Sequence, residues 1–139
     1  MHQSDRLIEL ILKVSRLLKD KMVFVGPTAH LTMLQIQALL FIKKRKNAQM
    51  REIADQFRVK MSTATSLLDK LVAIKLVKRV SDDKDRRIVR ISLTKKGNTL
   101  IESVTEQRRK KINAVLSYLS TEDKKALFRI LQTIQTKTE

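Results

Sequence analysis

The fold is decided by residues 76–93, which read LVKRVSDDKDRRIVRISL. Residues 88–93 alternate apolar and polar side chains, which is the period-two pattern of a half-buried strand. Residues 76–80 are rich in apolar side chains and also predict a strand. The wholly polar residues 81–87 between them predict a loop. The stretch therefore predicts a β-hairpin with a charged tip.

Two short helices precede this hairpin. Residues 50–57 space apolar side chains at helical intervals, and residues 61–75 follow with an inward face of Ala64, Leu67, Leu68 and Leu71. Steps of 100° per residue place another set on the outward face of the second helix: Ser62, Ser66, Asp69, Lys70 and Ala73, with Thr63 and Thr65 on the flanks. A helix pair followed by a strand, a loop and a strand is the order of a winged helix-turn-helix, whose second helix enters the major groove of DNA.

Further helices flank this region. Apolar residues recur every three or four positions over residues 4–20, and Gly26-Pro27 end that helix. Three polar residues stand where their side chains can cap a helix: Thr32 in a T-x-x-Q capping box with Gln35, Thr94 before a helix over 95–118, and Ser120 before one over 121–136. The predicted fold class is therefore mainly α with a small β-hairpin, an α+β fold.

The composition is that of a small basic protein. The chain has 139 residues, with 30 Lys and Arg against 14 Asp and Glu, and a formal net charge of +16. Such a field attracts polyanions, so double-stranded DNA is the first partner to expect. Two Gly and one Pro are too few for a β-sandwich, and the absence of Cys excludes a disulfide scaffold, a thiolate zinc site and cysteine redox sensing.

Other classes of function find little support. The sequence holds two His, no P-loop and no Gly-rich dinucleotide turn, so we expect no enzyme, no cofactor and no metal site. The longest apolar run, residues 38–42, is too short to cross a bilayer, and the N-terminus does not have the pattern of a signal peptide. Scarce aromatic residues argue against a membrane-surface helix. We therefore expect a cytoplasmic protein that does not bind membranes.

The loop of the hairpin mixes bases with acids. Lys84, Arg86 and Arg87 lie at its tip, and a narrow minor groove has a negative potential that favours an inserted Arg. The acids at positions 82, 83 and 85 are expected to pair with these three cations rather than to hold a divalent cation, because the neighbouring positive charge opposes metal binding.

Five motifs follow one another along the chain: IADQF at 53–57, MSTATSLLDKL at 61–71, LVKR at 76–79, DRR at 85–87 and ISLTKKG at 91–97. With these motifs, and with flanking helices of matching length and order, the chain resembles the MarR family of bacterial transcription regulators over nearly its whole length. The most specific part of the resemblance is D-x-R followed by L-T-x-x-G.

The resemblance implies an organisation and a function. Residues 1–139 would form a single domain, with a winged helix-turn-helix region at 32–94 and a helical dimerisation region formed by 1–31 and 95–139. An obligate homodimer agrees with the apolar stripes of the terminal helices, which exceed what a winged-helix core of about 60 residues covers. The implied function is that of a homodimeric repressor at a palindromic operator, released in many relatives by a small ligand, here an anionic or phenolic one.

The resemblance also implies residue roles. Four hydroxyl residues match the DNA-contacting part of the family's recognition helix: Ser62, Thr63, Thr65 and Ser66. Lys70 lies on the outward face of the same helix. Arg87 matches the Arg that enters the minor groove, Asp85 matches the acid that orients it, and Lys84 and Arg86 accompany them at the tip.

The sequence departs from the family at three positions. Arg58 and Lys75 stand where the family usually has Gly in the turns before and after the recognition helix. A side chain costs roughly 1 kcal/mol in a left-handed turn, so the turn after the helix, at Lys75, is expected to be built differently. Lys60 stands where the family often has a capping Ser, which leaves Ser62 as the cap of a shortened helix.

Two interpretations stay open. Residues 22–33 are candidates for a ligand cleft, with Phe24, His30 and Met33 as its main side chains; ordinary packing between the first two helices is the alternative. The alternative function is that of a nonspecific DNA-coating or architectural protein, which the basic run at 108–111 would suit.

Overall fold

The computed structural model describes residues 2–22 and 30–139. Six helices and three short strands follow one another in these residues: α1 (Gln3–Lys21), α2 (Met33–Arg45), β1 (Ala48–Gln49), α3 (Met50–Phe57), α4 (Met61–Ala73), β2 (Val77–Ser81), β3 (Val89–Leu93), α5 (Lys95–Leu116) and α6 (Thr121–Thr138). The fold class predicted from the sequence is confirmed. Gly26 and Pro27, predicted to end the first helix, lie outside the described residues.

The described chain forms two compact units. One contains α2, α3, α4, the sheet and the part of α5 up to Thr105. The other contains α1, the rest of α5 and α6. No helix among residues 2–22 and 30–139 combines the length and the apolar character needed to cross a membrane.

The sheet has three antiparallel strands in the order β1-β3-β2, so that β3 lies in the centre. The hairpin of β2 and β3 is the predicted one, with Arg79 opposite Ile91. Strand β1 was not predicted, because two residues carry too little pattern to distinguish a strand from a loop. The buried side chains of Leu39, Ile53, Leu68 and Ile91 belong to one apolar core that joins helices α2, α3 and α4 to the sheet.

Helix starts follow the predicted caps. The Thr32 hydroxyl accepts from Gln35 N–H at 3.1 Å while the Gln35 side chain accepts from Thr32 N–H at 2.9 Å, which is the capping box in full. The hydroxyl of Thr94 accepts from Gly97 N–H at 3.0 Å, and that of Ser120 accepts from Asp123 N–H at 3.1 Å.

The expectation that Ser62 caps α4 is wrong. The helix begins at Met61, and Lys60 occupies the N-cap position with an extended backbone and no side-chain hydrogen bond. The first turn of α4 therefore has backbone N–H groups that no side chain caps. Such groups are suited to contact an anion.

The expectation that the turn after α4 avoids a left-handed residue at Lys75 is also wrong. Arg58 has φ 52° and Lys75 has φ 63°. After α4, Leu76 N–H donates to Leu71 O at 3.0 Å and Lys75 N–H donates to Val72 O at 2.9 Å, which is the hydrogen-bond pair of a Schellman closure. Packing of the buried Leu76 behind the turn outweighs the local cost of the Lys75 side chain.

We predict that Lys75→Gly raises the free energy of unfolding by about 0.5–1 kcal/mol, because Gly adopts positive φ without steric cost. Urea unfolding measures the change. Lys75→Ala is the control, since Ala removes the charge but keeps the Cβ atom. If Lys75→Ala raised the free energy of unfolding as much as Lys75→Gly, charge and not backbone strain would limit stability at this turn.

Candidate nucleic-acid interface

The outward face of α4 carries hydroxyl groups, most of which are not used in hydrogen bonds to the described part of the protein. Ser62, Thr63 and Ser66 are exposed, and within the described residues their hydroxyls make no hydrogen bond to protein. Thr65 differs, because it is half-buried and its hydroxyl donates to Met61 O at 2.8 Å. Of the four hydroxyl residues predicted on this helix, three are thus available to a partner and Thr65 is engaged within the helix.

A groove of about 430 Å³ extends this face beyond α4. It lies between the start of α2 and the outward side of α4, and it brings these side chains together: Thr32, Leu34, Gln35, Ser62, Thr63, Ser66, Leu67 and Lys70. Thr32 and Gln35 were predicted only as a capping box. Nothing in their local pattern shows that α2 starts beside the outward face of α4, since this depends on how the two helices pack.

The wing, the hairpin of β2 and β3 with its loop at 82–88, presents Arg87 at its tip. The Arg87 side chain is 91% exposed, and its Nε donates to Asp85 Oδ1 at 3.1 Å while its Nη2 reaches Oδ2 at 3.3 Å. Asp85 Oδ1 also accepts from Arg87 N–H at 3.0 Å. These hydrogen bonds from Arg87 hold the pKa of the Asp85 carboxyl below its usual range. Asp85 thus orients the guanidinium and leaves it open to solvent; Lys84 and Arg86 are exposed beside it.

The wing loop is organised by Asp82. Its Oδ2 accepts from Lys84 N–H at 3.1 Å and from Asp85 N–H at 3.0 Å, and its Oδ1 accepts from Arg90 Nε at 2.7 Å. The Arg90 hydrogen bond is the main cause of a lowered pKa of Asp82. The prediction that Asp82 pairs with the cations of the tip is therefore wrong, because the strand register brings Arg90 of β3 to it instead.

The base of the wing is fastened to the start of α5. The Thr94 hydroxyl donates to Lys75 O at 2.6 Å, and Thr94 N–H donates to Leu76 O at 3.1 Å. Gly97 packs so closely against this turn that a Cβ atom would lie 2.0 Å from Leu76 O. The T-x-x-G part of the sequence signature thus has a structural reason, since its Thr caps α5 and its Gly admits the turn that follows α4.

The remaining predicted positions are the candidate ligand cleft and the basic run at 108–111. His30 and Met33 of the candidate ligand cleft are exposed, and Phe24 lies outside the described residues, so the cleft stays a prediction. In the basic run at 108–111, Arg109 donates to Glu106 at 2.8 and 3.0 Å and lowers the pKa of that carboxyl. Part of the positive charge of this run is thus neutralised on its own helix.

Comparisons with known proteins agree on one family. The model of the MarR family matches residues 31–88. The HTH-type transcriptional repressor MdtR of Bacillus subtilis is 34% identical over 89 residues, which are 64% of this chain and 57% of that protein. The repressor YetL of the same organism is 32% identical over 97 residues, which are 70% of this chain and 58% of that protein. The chain thus spans less than two thirds of the length of these two relatives.

Solved structures match almost the whole chain. A MarR family protein from Bacillus stearothermophilus is 26% identical, with a TM-score of 0.86 and coverage of 99% of this chain and 98% of that one. FabT of Streptococcus pneumoniae, solved in complex with DNA, has a TM-score of 0.84 at 18% identity, over 98% of this chain and 97% of that one, and shares the fold. The family model, the sequence relatives and the whole-chain structural match all support the MarR family for this chain.

Proposed function

We propose that the chain is a DNA-binding transcription repressor that acts as a homodimer at a palindromic operator. The observation that carries this proposal is the Arg87 guanidinium, which is oriented by Asp85 at the exposed tip of a hairpin. An Arg held in this way suits a narrow minor groove, whose negative potential attracts it. The names of the relatives agree, since MdtR and YetL are named as repressors and FabT was solved with DNA.

In this proposal α4 lies in the major groove and the wing reaches the adjacent minor groove. Ser62, Thr63 and Ser66 contribute short side chains, so the helix can approach base edges and phosphates closely. Lys70, which lines the groove between α2 and α4, adds one positive charge to the same face. The uncapped first turn of α4 can receive a phosphate at its backbone N–H groups. Base contacts of hydroxyls are less specific than the bidentate contacts of longer side chains, so the groove width that Arg87 senses in the minor groove adds to the sequence reading.

The homodimer is supported by apolar surface on the terminal helices. No residue of α1 or α6 is buried in the single chain. Large apolar side chains on both helices stay 44–69% exposed: Leu7, Ile8, Leu10, Ile11, Leu12, Val14 and Leu17 on α1, and Phe128, Ile130, Leu131 and Ile134 on α6. A soluble monomer rarely leaves so much apolar surface in contact with water.

We predict that the protein sediments at micromolar concentration as a species of twice the 16.1 kDa chain mass, because a second copy covers these faces. The double variant Leu10→Asp/Leu17→Asp should lose the dimer and much of its helical signal. Lys13→Asp, on the same helix, is the control for added negative charge. A well-folded 16.1 kDa species of the unmodified chain would contradict the dimer.

Release by an anionic or phenolic ligand is also part of the proposal. The net charge of +16 favours an organic anion over a cation. By linkage, such a ligand must bind the DNA-free protein more tightly than the DNA-bound one. His30 and Met33 are the described side chains to replace first if a ligand is found.

The experiment that tests DNA binding is a salt titration with a labelled duplex followed by fluorescence anisotropy. A dimer that contacts about 8–12 phosphates gives a slope of about −7 to −11 for the logarithm of the association constant against that of salt concentration. Binding that is absent at low salt would contradict the proposal. A slope near zero would also contradict it, because it would mean that phosphates contribute little.

A further inference from the structure

The outward face of α4 contains one acid, Asp69. It follows Ser66 by three residues and Ser62 by seven, so it lies on the same side of the helix as both hydroxyls. Its side chain is 56% exposed. In the proposed function this face approaches the phosphates of DNA, and an unpaired carboxylate there would repel the duplex.

Asp69 is paired with Arg79 of strand β2. The Arg79 guanidinium donates through Nη2 to Asp69 Oδ1, although the two residues belong to different elements. In the sheet, Arg79 lies opposite Ile91 of the central strand β3. The Ile91 side chain is buried in the core. The pair therefore connects the recognition helix to a firmly packed part of the wing, and both of its side chains stay accessible to solvent.

We propose that the Asp69–Arg79 ion pair suppresses sequence-independent DNA binding. Asp69 keeps the Arg79 guanidinium away from phosphates, and Arg79 cancels the repulsion between Asp69 and the duplex. Asp69 is then a specificity-determining residue and Arg79 a positioning residue. This inference rests on the proposed function, because it concerns how the same face of α4 meets DNA.

The two ends of the pair should give different results when they are removed. Asp69→Asn frees Arg79 to reach a phosphate, so binding to a scrambled duplex should tighten about tenfold and the salt slope should steepen by about 2 per dimer. Arg79→Gln leaves the carboxylate unpaired and weakens binding, but it removes no phosphate contact, so the salt slope should stay unchanged. An exposed ion pair contributes little to stability, so the thermal midpoints of both variants should stay close to that of the unmodified protein.

The decisive experiment measures how Arg79→Gln changes the salt slope, once in the otherwise unmodified protein and once in the Asp69→Asn variant. In the unmodified background we expect no change of slope, and in the Asp69→Asn background we expect the slope to become shallower by about 2 per dimer. Lys78→Gln is the matched control, since this neighbouring cation on β2 is exposed and should change the slope equally in both backgrounds.

Two outcomes would overturn the inference. If Arg79→Gln makes the slope shallower by the same amount in both backgrounds, Arg79 already contacts phosphate and Asp69 does not withhold it. In that case the unmodified protein still binds duplex DNA, and the proposed function survives. If the unmodified protein binds no duplex at all, the proposed function fails and this inference fails with it.

Discussion

Gly97→Ala should strongly destabilise the compact unit that contains α2, α3, α4 and the sheet. The new Cβ atom would lie 2.0 Å from Leu76 O and 2.9 Å from Leu76 C, and both are backbone atoms that cannot rotate away. Leu76 O also accepts from Thr94 N–H, and Leu76 itself is buried in the core. Relief of the clash would therefore separate the start of α5 from the turn that follows α4.

The expected cost is about 3 kcal/mol or more, at the upper end of what overpacking usually costs. For a domain with a total stability of about 5–15 kcal/mol this is a large loss. Urea unfolding followed by circular dichroism measures it. Thr99→Ala, an exposed position two residues further along α5, is the control and should change stability by less than about 0.5 kcal/mol. Equal unfolding midpoints for the two variants would show that the turn yields easily to the added methyl group.

Arg87→Ala should weaken operator binding by about 1–3 kcal/mol without changing the fold. The side chain is almost fully exposed and its protein contacts are to Asp85, so its removal leaves the core intact. The loss should be greater on the operator than on a scrambled duplex, because a minor-groove Arg reads groove width as well as charge. Anisotropy titrations on both duplexes measure the two losses.

Two further variants distinguish the effect of orienting the Arg87 side chain from the effect of its positive charge. Asp85→Asn keeps Arg87 but removes its charged partner, so a smaller loss is expected than for Arg87→Ala. Arg129→Ala on α6 removes the same charge from an exposed position outside the proposed interface, and it should leave specificity unchanged. Unaltered operator affinity of Arg87→Ala would show that the wing does not enter the minor groove.

Local patterns were sufficient to predict most of the fold. Helix α3 has the predicted bounds, and the strands of the hairpin differ from the predicted ones by one residue at the starts or ends. The capping box of Thr32 and Gln35 was visible because both partners lie within one turn. The pairing of Asp85 with Arg87 was accessible for the same reason, since the two residues are separated by a single position.

Features that depend on tertiary packing were not accessible from the sequence. Lys75 adopts positive φ because Leu76 must be buried and Thr94 must reach Lys75 O, and neither condition is local. Asp82 bonds Arg90, eight residues away, because strand pairing fixes their distance. The contact between Asp69 and Arg79 likewise requires that α4 packs beside β2. Propensity predicts single elements, whereas these contacts follow from how the elements are assembled.

The most direct test of the account is selection of binding sites from a pool of random duplexes with the unmodified protein. We expect an inverted repeat whose half-sites are centred about one helical turn apart, because two recognition helices of one dimer must face the same side of the duplex. Enrichment should be weaker with Arg87→Ala. If the protein retains duplexes without enriching any sequence, it is a nonspecific DNA-coating protein and the account is wrong.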